Sequence, residues 1–211
     1  LNSIAGDTTI SQGTFRVTSG NVYGADSGTG TFSAGPGTTL SGGGTINSNA
    51  VSIKGDATGN VIIAPDSATL TSASLTVPSG SQAVLTLAGS GQVAFENFTY
   101  LYDMDGANAS ADRLTRKVTG DLVSVSSGTV LIGGTTNELD LTGAELKYGD
   151  NYLLMESSTD ITFDGTNVTD TSTIFSAIKQ DGSFTEPRTG FDVVFGDQAA
   201  ANDQLNKKQL W

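Results

Sequence analysis

Residues 37–53, GTTLSGGGTINSNAVSI, decide the fold because short apolar groups recur in them with turn residues in between. Successive apolar groups along residues 37–95 start five to ten residues apart, and they are Leu40, Ile46, Val51 with Ile53, 61–63, Leu70, Leu75 with Val77, 84–87, and Val93 with Phe95. These intervals are too short for hairpins of ordinary length, but they suit the successive faces of a solenoid coil. Three such faces make one turn of about two dozen residues, which is the period expected of a right-handed parallel β-helix.

Alternation within the short groups favours the same fold. Residues 74–77 and 82–87 are expected to alternate inward and outward side chains, so that every second side chain can stack in an interior column. Gly, Thr and Val are too dense for helices, and no segment before residue 197 keeps a helical period. The sequence therefore predicts an all-β fold, a right-handed parallel β-helix (β-solenoid).

Charge and aromatic content divide the chain near residue 95. Residues 1–95 carry a net charge of −2, and residues 96–211 carry −10. No aromatic residue lies between Phe32 and Phe95, whereas Phe98, Tyr100 and Tyr102 follow closely after Phe95. We therefore predict a β-solenoid shaft over 1–95, an aromatic and acidic loop over 96–111, a C-terminal β cap over 112–196, and a helical linker or tail over 197–211.

The predicted cap has longer strands and a hairpin. Strands are expected at 122–125, 129–132, 138–141 and 152–155, between breaks rich in Gly and Ser. Asp181-Gly182 suits the positive φ angles of a type I′ turn, so 174–179 and a partner strand containing Phe184 and 191–195 are expected to form a closing hairpin. The helix candidate is 197–210, because an alanine run there precedes Lys207 and Lys208.

Composition excludes several kinds of chemistry. The 211 residues include no His and no Cys, which excludes a Ser-His-Asp triad, a cysteine nucleophile, the usual zinc sites and disulfides. The net charge of −12 makes nucleic acid and anionic membrane surfaces unfavourable partners. No apolar run approaches the roughly 20 residues that a membrane helix needs, so we expect no membrane insertion of this segment.

Two groups of residues just after Phe95 are candidate binding sites. Asp103, Asp105 and Asn108 place oxygen ligands at the close spacing of a calcium loop, although the segment lacks the glutamate of an EF-hand and also fits a solvated loop. Phe98, Tyr100 and Tyr102 offer either a platform on which sugars stack or aromatic bulk that closes one end of a thin core. No cofactor other than calcium is expected.

An enzyme is the less favoured interpretation. Glu96, Asp103 and either Arg113 or Lys117 have the residue types that polysaccharide-active β-helix enzymes place in a groove. Paired catalytic carboxylates need a defined separation, and nothing in the sequence sets one. Because a fold alone confers no chemistry, the sequence favours a protein without enzymatic activity.

Several strings, in their order along the chain, resemble the passenger domains of autotransporters, the proteins of type V secretion. Residues 37–46, GTTLSGGGTI, are similar to the glycine-rich turn of that family; 61–66, VIIAPD, to its LAPG step; and 68–77 to its GTLTV string. Residues 83–87 stand where STLEVEL is usual, 111–114, ADRL, resemble the aDxL marker, and 148–155, YGDNYLLM, resemble a segment near the C-terminal end of the passenger. Arg113 departs from the pattern, which has an apolar residue there, and residues 1–36 match poorly.

The resemblance implies a passenger fragment, secreted or on the bacterial cell surface, that acts as a stalk. Residues 120–195 would be a stable cap of the kind called an autochaperone, which nucleates folding outside the cell. The resemblance also implies adhesion or aggregation through a host surface, a glycan or self-association, and an outer-membrane barrel downstream of Trp211. Two other classes stay open: a stand-alone subunit that polymerises into a surface filament by strand complementation, and a polysaccharide-active enzyme.

Overall fold

The computed structural model of the protein describes residues 6–24, 29–65, 69–71, 74–76, 82–103, 108–109, 117–141, 151–163, 174–180, 183–185 and 208–210. Within these residues the fold is all-β, as predicted, and three sheets hold most of the strands. Sheet A has six strands, and sheets B and C have seven each. Parallel pairing dominates all three sheets, so the chain must cross from sheet to sheet instead of turning back in hairpins.

The chain passes through sheets A, B and C in that order and then returns to sheet A, and we call one such pass a circuit. The first two circuits consist of β1 (Thr8–Ile10), β2 (Gly13–Arg16), β3 (Val22–Tyr23), β4 (Thr31–Ala34), β5 (Thr38–Ser41) and β6 (Thr45–Asn47). The third and fourth consist of β7 (Ala50–Lys54), β8 (Val61–Ala64), β11 (Val84–Ala88), β12 (Gln92–Glu96), β13 (Phe98–Leu101) and β15 (Lys117–Val125). The fifth consists of β16 (Thr129–Gly133), β17 (Glu138–Asp140) and β18 (Asn151–Ser157), and the sixth begins with β19 (Ile161–Phe163) and β20 (Ala177–Gln180). The remaining strands are β9 (Thr69–Thr71), β10 (Ser74–Thr76), β14 (Asn108–Ala109), β21 (Ser183–Thr185) and β22 (Gln209–Leu210).

Inward side chains stack in columns across the circuits, as the alternation in the sequence predicted. One column on sheet A contains Phe32, Val51, Val93, Val130 and Ile161, all of them buried. The matching column on sheet B contains Leu40, Ile63, Tyr100, Leu139 and Ile178, also buried. Each fully buried aliphatic side chain contributes about 1.5–3 kcal/mol, so a thin core suffices when the columns are long.

Gly42 shows why the connections between sheets are rich in glycine. Its φ is +98°, and a Cβ there would collide with the main-chain oxygen of Val17 in the preceding circuit. The same oxygen accepts a hydrogen bond from the N–H of Gly44 at 2.9 Å. Small residues therefore let the main chains of neighbouring circuits touch at this connection.

Excursions lengthen the third and fourth circuits between sheets B and C. In the third, β9 and β10 pair antiparallel with each other, with Leu70 opposite Leu75, outside the three sheets. The prediction that Leu70 and Leu75 belong to successive solenoid faces is therefore wrong, because these two strands satisfy one another instead of joining a sheet. In the fourth circuit, β14 pairs antiparallel with the start of β15.

Sheets A and B continue through the segment that the sequence assigned to a loop. Strand β12 ends at Glu96 and pairs with β7 before it and β16 after it. Residues 98–101 form β13, so a loop is wrong for this part of 96–111. The aromatic residues that suggested a boundary fill a column that runs on in both directions.

The strands and the hairpin predicted for the C-terminal part are confirmed where the structure describes them. Residues 122–125, 129–132 and 152–155 lie within strands, and so do the first three residues of 138–141. Strands β20 and β21 form the antiparallel hairpin around positions 181–182, while 191–195 lie outside the described residues.

The predicted helix over 197–210 is wrong at its end, because Gln209–Leu210 form β22, which pairs antiparallel with β18. Leu210 is buried against the core, which an extended end of the chain achieves without a helical turn. Residues 197–207 lie outside the described residues. In the part of the chain that is described, no helix is long and apolar enough to cross a bilayer.

Candidate functional site

The aromatic residues proposed as a sugar platform lie inside the core. Phe98, Tyr100 and Tyr102 are 1%, 1% and 2% exposed, so none of these rings offers a face to a ligand in solution. Tyr100 packs edge-on against Tyr102 with 6.0 Å between ring centroids, and Phe98 packs against Phe95 at 5.8 Å. The platform prediction is therefore wrong. The alternative, that the rings are aromatic bulk in the core, is right about their burial. It is wrong about their position, because they lie in the fourth of six circuits and not at one end.

The tyrosine hydroxyls bind the main chain of sheet C. The Tyr100 hydroxyl lies 2.8 Å from the main-chain oxygens of both Asp121 and Leu154, to which it donates. The Tyr102 hydroxyl accepts a hydrogen bond from the N–H of Gly120 at 2.9 Å. Both contacts fall where the register between β15 and β18 shifts, between Thr119 and Val123. The two tyrosines therefore hold a β-bulge in place from the inside of the core.

Asp121 is a buried carboxylate within this bulge. It is 3% exposed, and its Oδ1 accepts a hydrogen bond from the N–H of Ala83 at 2.7 Å. Its own N–H donates to the main-chain oxygen of Asp103 at 2.8 Å. Gln82 adds a side-chain hydrogen bond to the oxygen of Gly120 at 2.9 Å. The bulge is thus bound to the preceding circuit as well as to sheet B.

Burial sets the protonation state of the two tyrosines. Loss of solvent raises the pKa of Tyr100 well above its ordinary value, and the neighbouring Tyr102 and Asp121 raise it further. The pKa of Tyr102 is also raised by burial, although the hydrogen bond from Gly120 opposes the shift. Both phenols are therefore neutral at physiological pH, and Tyr100 keeps the proton that it donates to main-chain oxygens.

A second polar cluster lies at the corner between sheets A and B. Asn97 has a positive φ of 49°, and its Oδ1 accepts hydrogen bonds from the N–H groups of Thr135 and Thr136 at 3.0 and 3.2 Å. One circuit later, the buried Asn137 donates from Nδ2 to the oxygens of Gly133 and Ile174, both at 3.0 Å. These side-chain amides form hydrogen bonds with main-chain groups at the corner that do not pair with a neighbouring strand.

The acidic residues proposed for calcium are not brought together in the described residues. Asp103 is exposed and follows β13, and Asn108 begins β14, whose main chain pairs with Thr119. Asp105 and the side chain of Asn108 lie outside the described part of the chain. Within that part no cluster of three or more potential metal-ligating side chains occurs. Calcium binding here stays a prediction.

The residues proposed for an enzymatic groove are spread over several strands. Glu96 ends β12 and lies 2.6 Å from the Nζ of Lys54 on β7, which makes it half of a cross-strand ion pair. The four residues of β13 separate Glu96 from Asp103. Lys117 opens β15 on sheet C, and Arg113 lies outside the described residues. The described geometry does not form a carboxylate pair from these residues.

Sequence reasoning missed the residues that carry the polar chemistry of the interior. Asp121 lies two residues before Val123 and four before Val125, so period-two alternation places it on the inward face with them, where an acid is unexpected. The sequence gives no sign of the partner that its carboxylate finds, because Ala83 lies 38 residues earlier. Asn97 offered a weak signal, because Asn tolerates the left-handed conformation that it adopts at this corner, whereas Asn137 offered none.

No protein-family model, curated protein or solved structure matches the chain. The site therefore has to be interpreted from its own geometry. That geometry consists of buried phenols, a buried carboxylate and side-chain amides that all bind main-chain groups, which is an arrangement suited to holding a rigid scaffold.

Proposed function

We propose that this protein is a right-handed, three-sided parallel β-helix that serves as a non-enzymatic stalk with a folding cap at its C-terminal end. Its place would be the passenger of a bacterial autotransporter, secreted or exposed at the cell surface. A host surface, a glycan or another stalk would be its partner. The strings in 37–155 that resemble autotransporter passengers support this setting.

The difference between the two ends of the core carries the proposal. In the first circuit the inward residues Ile10, Phe15 and Tyr23 are only half-buried, whereas their neighbours in the second circuit, Ala34, Leu40 and Ile46, are buried. In the last circuit, Ile161, Ile178 and Leu210 are buried. A stack of coils has to be covered where it ends, and among the described residues the C-terminal circuit is the better covered of the two.

Strand direction at the C-terminal end supports a cap. Sheet B ends with the antiparallel β21, and sheet C ends with the antiparallel β22. A reversed and short strand stops the addition of further parallel strands, which is one way in which proteins protect sheet edges. The hydroxyl of Tyr100 in the fourth circuit binds Leu154 in the fifth, so these two circuits are joined before the closing strands, where a nucleus for folding would form.

The cap function is tested by comparing two positions of one column, one in the third circuit and one in the fifth. Ile53 and Ile132 face inward on sheet A on either side of Phe95, and both are fully buried. Ile53→Val and Ile132→Val should each lower the free energy of unfolding by about 0.5–1.5 kcal/mol. If the C-terminal circuits fold first, Ile132→Val slows refolding with a φ-value of about 0.5–0.8, while Ile53→Val mainly speeds unfolding with a φ-value below about 0.3.

Stopped-flow refolding from urea measures both rates on the full chain. The reverse order of φ-values would reject a C-terminal nucleus. If a valine variant changes the free energy of unfolding by less than about 0.6 kcal/mol, its φ-value is unreliable. Ile53→Ala and Ile132→Ala then provide a larger change in the free energy of unfolding at the same two positions.

Surface display tests the proposed setting. The chain, placed behind a secretion signal and ahead of an autotransporter barrel, should reach the outside of an intact bacterium and resist added protease. Ile132→Ala should lower the folded amount outside more than Ile53→Ala, because folding of the cap would come first. Retention of the wild-type chain inside the cell envelope, or equal loss in the two variants, would contradict the proposal.

A further inference from the structure

The longest connections of the third, fourth and fifth circuits all lie between sheets B and C. In these circuits 19, 15 and 10 residues separate the strand of sheet B from the next strand of sheet C. The same connection in the second circuit consists only of Gly42, Gly43 and Gly44. Because neighbouring strands of a sheet lie about 4.8 Å apart, the three long connections leave the stack side by side.

The corner between sheets C and A is built in the opposite way. After the second to fifth circuits it takes only two or three residues. Its main-chain hydrogen bonds run from circuit to circuit, since the N–H of Asn49 donates to the oxygen of Gly30 at 2.9 Å and the oxygen of Asn49 accepts from Gly91 at 2.7 Å. The oxygen of Gly91 in turn accepts from the N–H of Thr129 at 3.0 Å. An insertion at this corner would break that series of bonds.

The long connections contain strands of their own, and the three sheets continue past them. In the third circuit β9 and β10 pair with each other, and in the fourth β14 pairs with the start of β15. On either side of these connections the parallel pairing is kept, because β8 pairs with β5 and β13, and β11 pairs with β6 and β15. The connections are therefore additions to the stack of circuits.

Hydrogen bonds fix the point at which the third connection rejoins the stack and the point at which the fourth leaves it. Gln82 binds the oxygen of Gly120 at 2.9 Å, and the N–H of Ala83 binds the carboxylate of Asp121 at 2.7 Å. At the start of the fourth connection, the oxygen of Asp103 accepts from the N–H of Asp121 at 2.8 Å. When the ends of a connection are held in this way, the cost of a longer connection grows only slowly with its length.

We infer that the corner between sheets B and C is the edge at which this protein carries inserted segments and holds them within reach of a macromolecular partner. In repeat proteins, insertions from successive repeats gather on one face, which is often the binding face. The inference rests on the three-sided stack proposed above and adds to it which of the three corners accepts new sequence.

One peptide inserted at two places tests the difference between the corners. A short epitope peptide between positions 72 and 73, which separate β9 from β10, should leave the midpoint of urea denaturation within about 0.3 M of the wild-type value. The same peptide between Ser48 and Asn49 should lower the midpoint by about 1 M or more, because it separates their N–H groups from the oxygens of Ala88 and Gly30.

Antibody binding tests whether the inserted segment is within reach. An antibody against the epitope peptide should bind the folded variant with the insertion at 72–73 within about threefold of its affinity for the free peptide. The measurement is made without urea, where the variant is folded. Failure to bind would show that this edge is covered and would overturn the inference.

Replacement of the third connection tests whether the stack depends on it. A short Gly-Ser linker in place of 66–81 keeps Gln82 and Ala83, and with them the contacts to β15. The variant should unfold in one transition with a midpoint within about 0.5 M of the wild-type value.

Two stability results would also overturn the inference. One is an equal fall in the midpoint for the two insertions, and the other is a fall of about 1 M or more after the linker replacement. The refolding order of the Ile53 and Ile132 variants is measured on the chain without insertions, so the stalk and cap can stand when the insertion edge fails.

Discussion

The hydroxyl of Tyr100 on sheet B lies 2.8 Å from the main-chain oxygen of Asp121 on sheet C, so one hydrogen bond crosses the interior of the core. The same hydroxyl reaches the oxygen of Leu154 on the next strand of sheet C, also at 2.8 Å. Asp121 in turn binds Ala83 in the preceding circuit. A single phenol therefore connects two sheets, and the carboxylate connects two circuits.

Removing this hydroxyl should be costly for its size. In Tyr100→Phe the ring still fills the core, but the buried oxygens of Asp121 and Leu154 lose their contact with the phenol. We expect the free energy of unfolding to fall by about 1–3 kcal/mol, because an unsatisfied buried polar group retains its desolvation cost. Urea denaturation should show a lower midpoint with an unchanged slope.

Tyr23→Phe is the matched control. The hydroxyl of Tyr23 lies 2.8 Å from Oγ1 of Thr8 in a half-buried position of the first circuit, where water can replace it. Its loss should lower stability by less than about 1 kcal/mol. Equal losses in the two variants would show that the contact across the core has no special weight.

The buried tyrosines also make stability fall at alkaline pH. The pKa values of Tyr100 and Tyr102 are raised in the folded state, mainly by burial, whereas an unfolded tyrosine titrates near about 10. The stability that their neutral forms contribute is fully present below about pH 10, and it decreases as the pH rises above that value, because only the unfolded chain then releases these protons.

Tyrosinate absorbance should therefore show that Tyr100 and Tyr102 do not ionise while the protein is folded. Tyr102→Phe should make the midpoint of urea denaturation less dependent on pH above about 10. Ionisation of all five tyrosines near pH 10 in the folded protein would contradict the burial of these two.

The regular part of the fold follows from the sequence because its cause is local. Leu85 and Leu87 are buried and alternate with the half-buried Val84, Thr86 and Ala88, as period-two alternation requires. Asp181-Gly182 predicted the reversal between β20 and β21, since few residue pairs adopt the positive φ angles of such a turn. Strand pattern and turn chemistry act over a few residues, so one sequence is enough to show them.

The irregular part depends on contacts that are distant in the sequence. Leu70 and Leu75 have the spacing of solenoid faces, yet their strands pair with each other. The choice of a pairing partner depends on which strands are close in the folded protein, and sequence spacing alone does not show this. Tyr100 and Tyr102 have the pattern of an exposed platform, but the bulge at Gly120 gives their hydroxyls buried partners. Of the two alternatives left open for these rings, the exposed platform is wrong and packing in the core is right.

Asp56 provides a local test of electrostatics at the surface. Its pKa is lowered, first by the hydrogen bond from the Thr58 side chain and then by the Thr58 N–H. Thr58→Val removes the hydroxyl, so the pKa of Asp56 should rise toward its ordinary value, while Thr58→Ser should leave it low. The stability linked to this carboxylate is present above its unfolded pKa and is lost as the pH falls through its folded pKa.

Carboxyl-carbon NMR titration of Asp56 measures the effect directly. An unchanged midpoint in Thr58→Val would show that the main-chain N–H of residue 58 alone sustains the shift.

Asn97 combines two contributions that substitution can separate. Its φ of 49° is strained for residues with a Cβ other than Asn, and its side chain binds Thr135, Thr136 and the oxygen of Gly55. Asn97→Ala loses both the tolerated conformation and the hydrogen bonds, so we expect a loss of about 2–4 kcal/mol. Asn97→Gly loses only the hydrogen bonds and should be about 1 kcal/mol more stable than the alanine variant.

The comparison decides what holds the corner between sheets A and B. Urea denaturation of both variants gives the two losses on one scale. A glycine variant as stable as the wild type would mean that the side-chain amide adds nothing beyond its tolerance of positive φ. An alanine variant at least as stable as the glycine variant would mean that the positive φ carries no cost, and that Asn97 holds the corner through its side-chain hydrogen bonds to Gly55, Thr135 and Thr136.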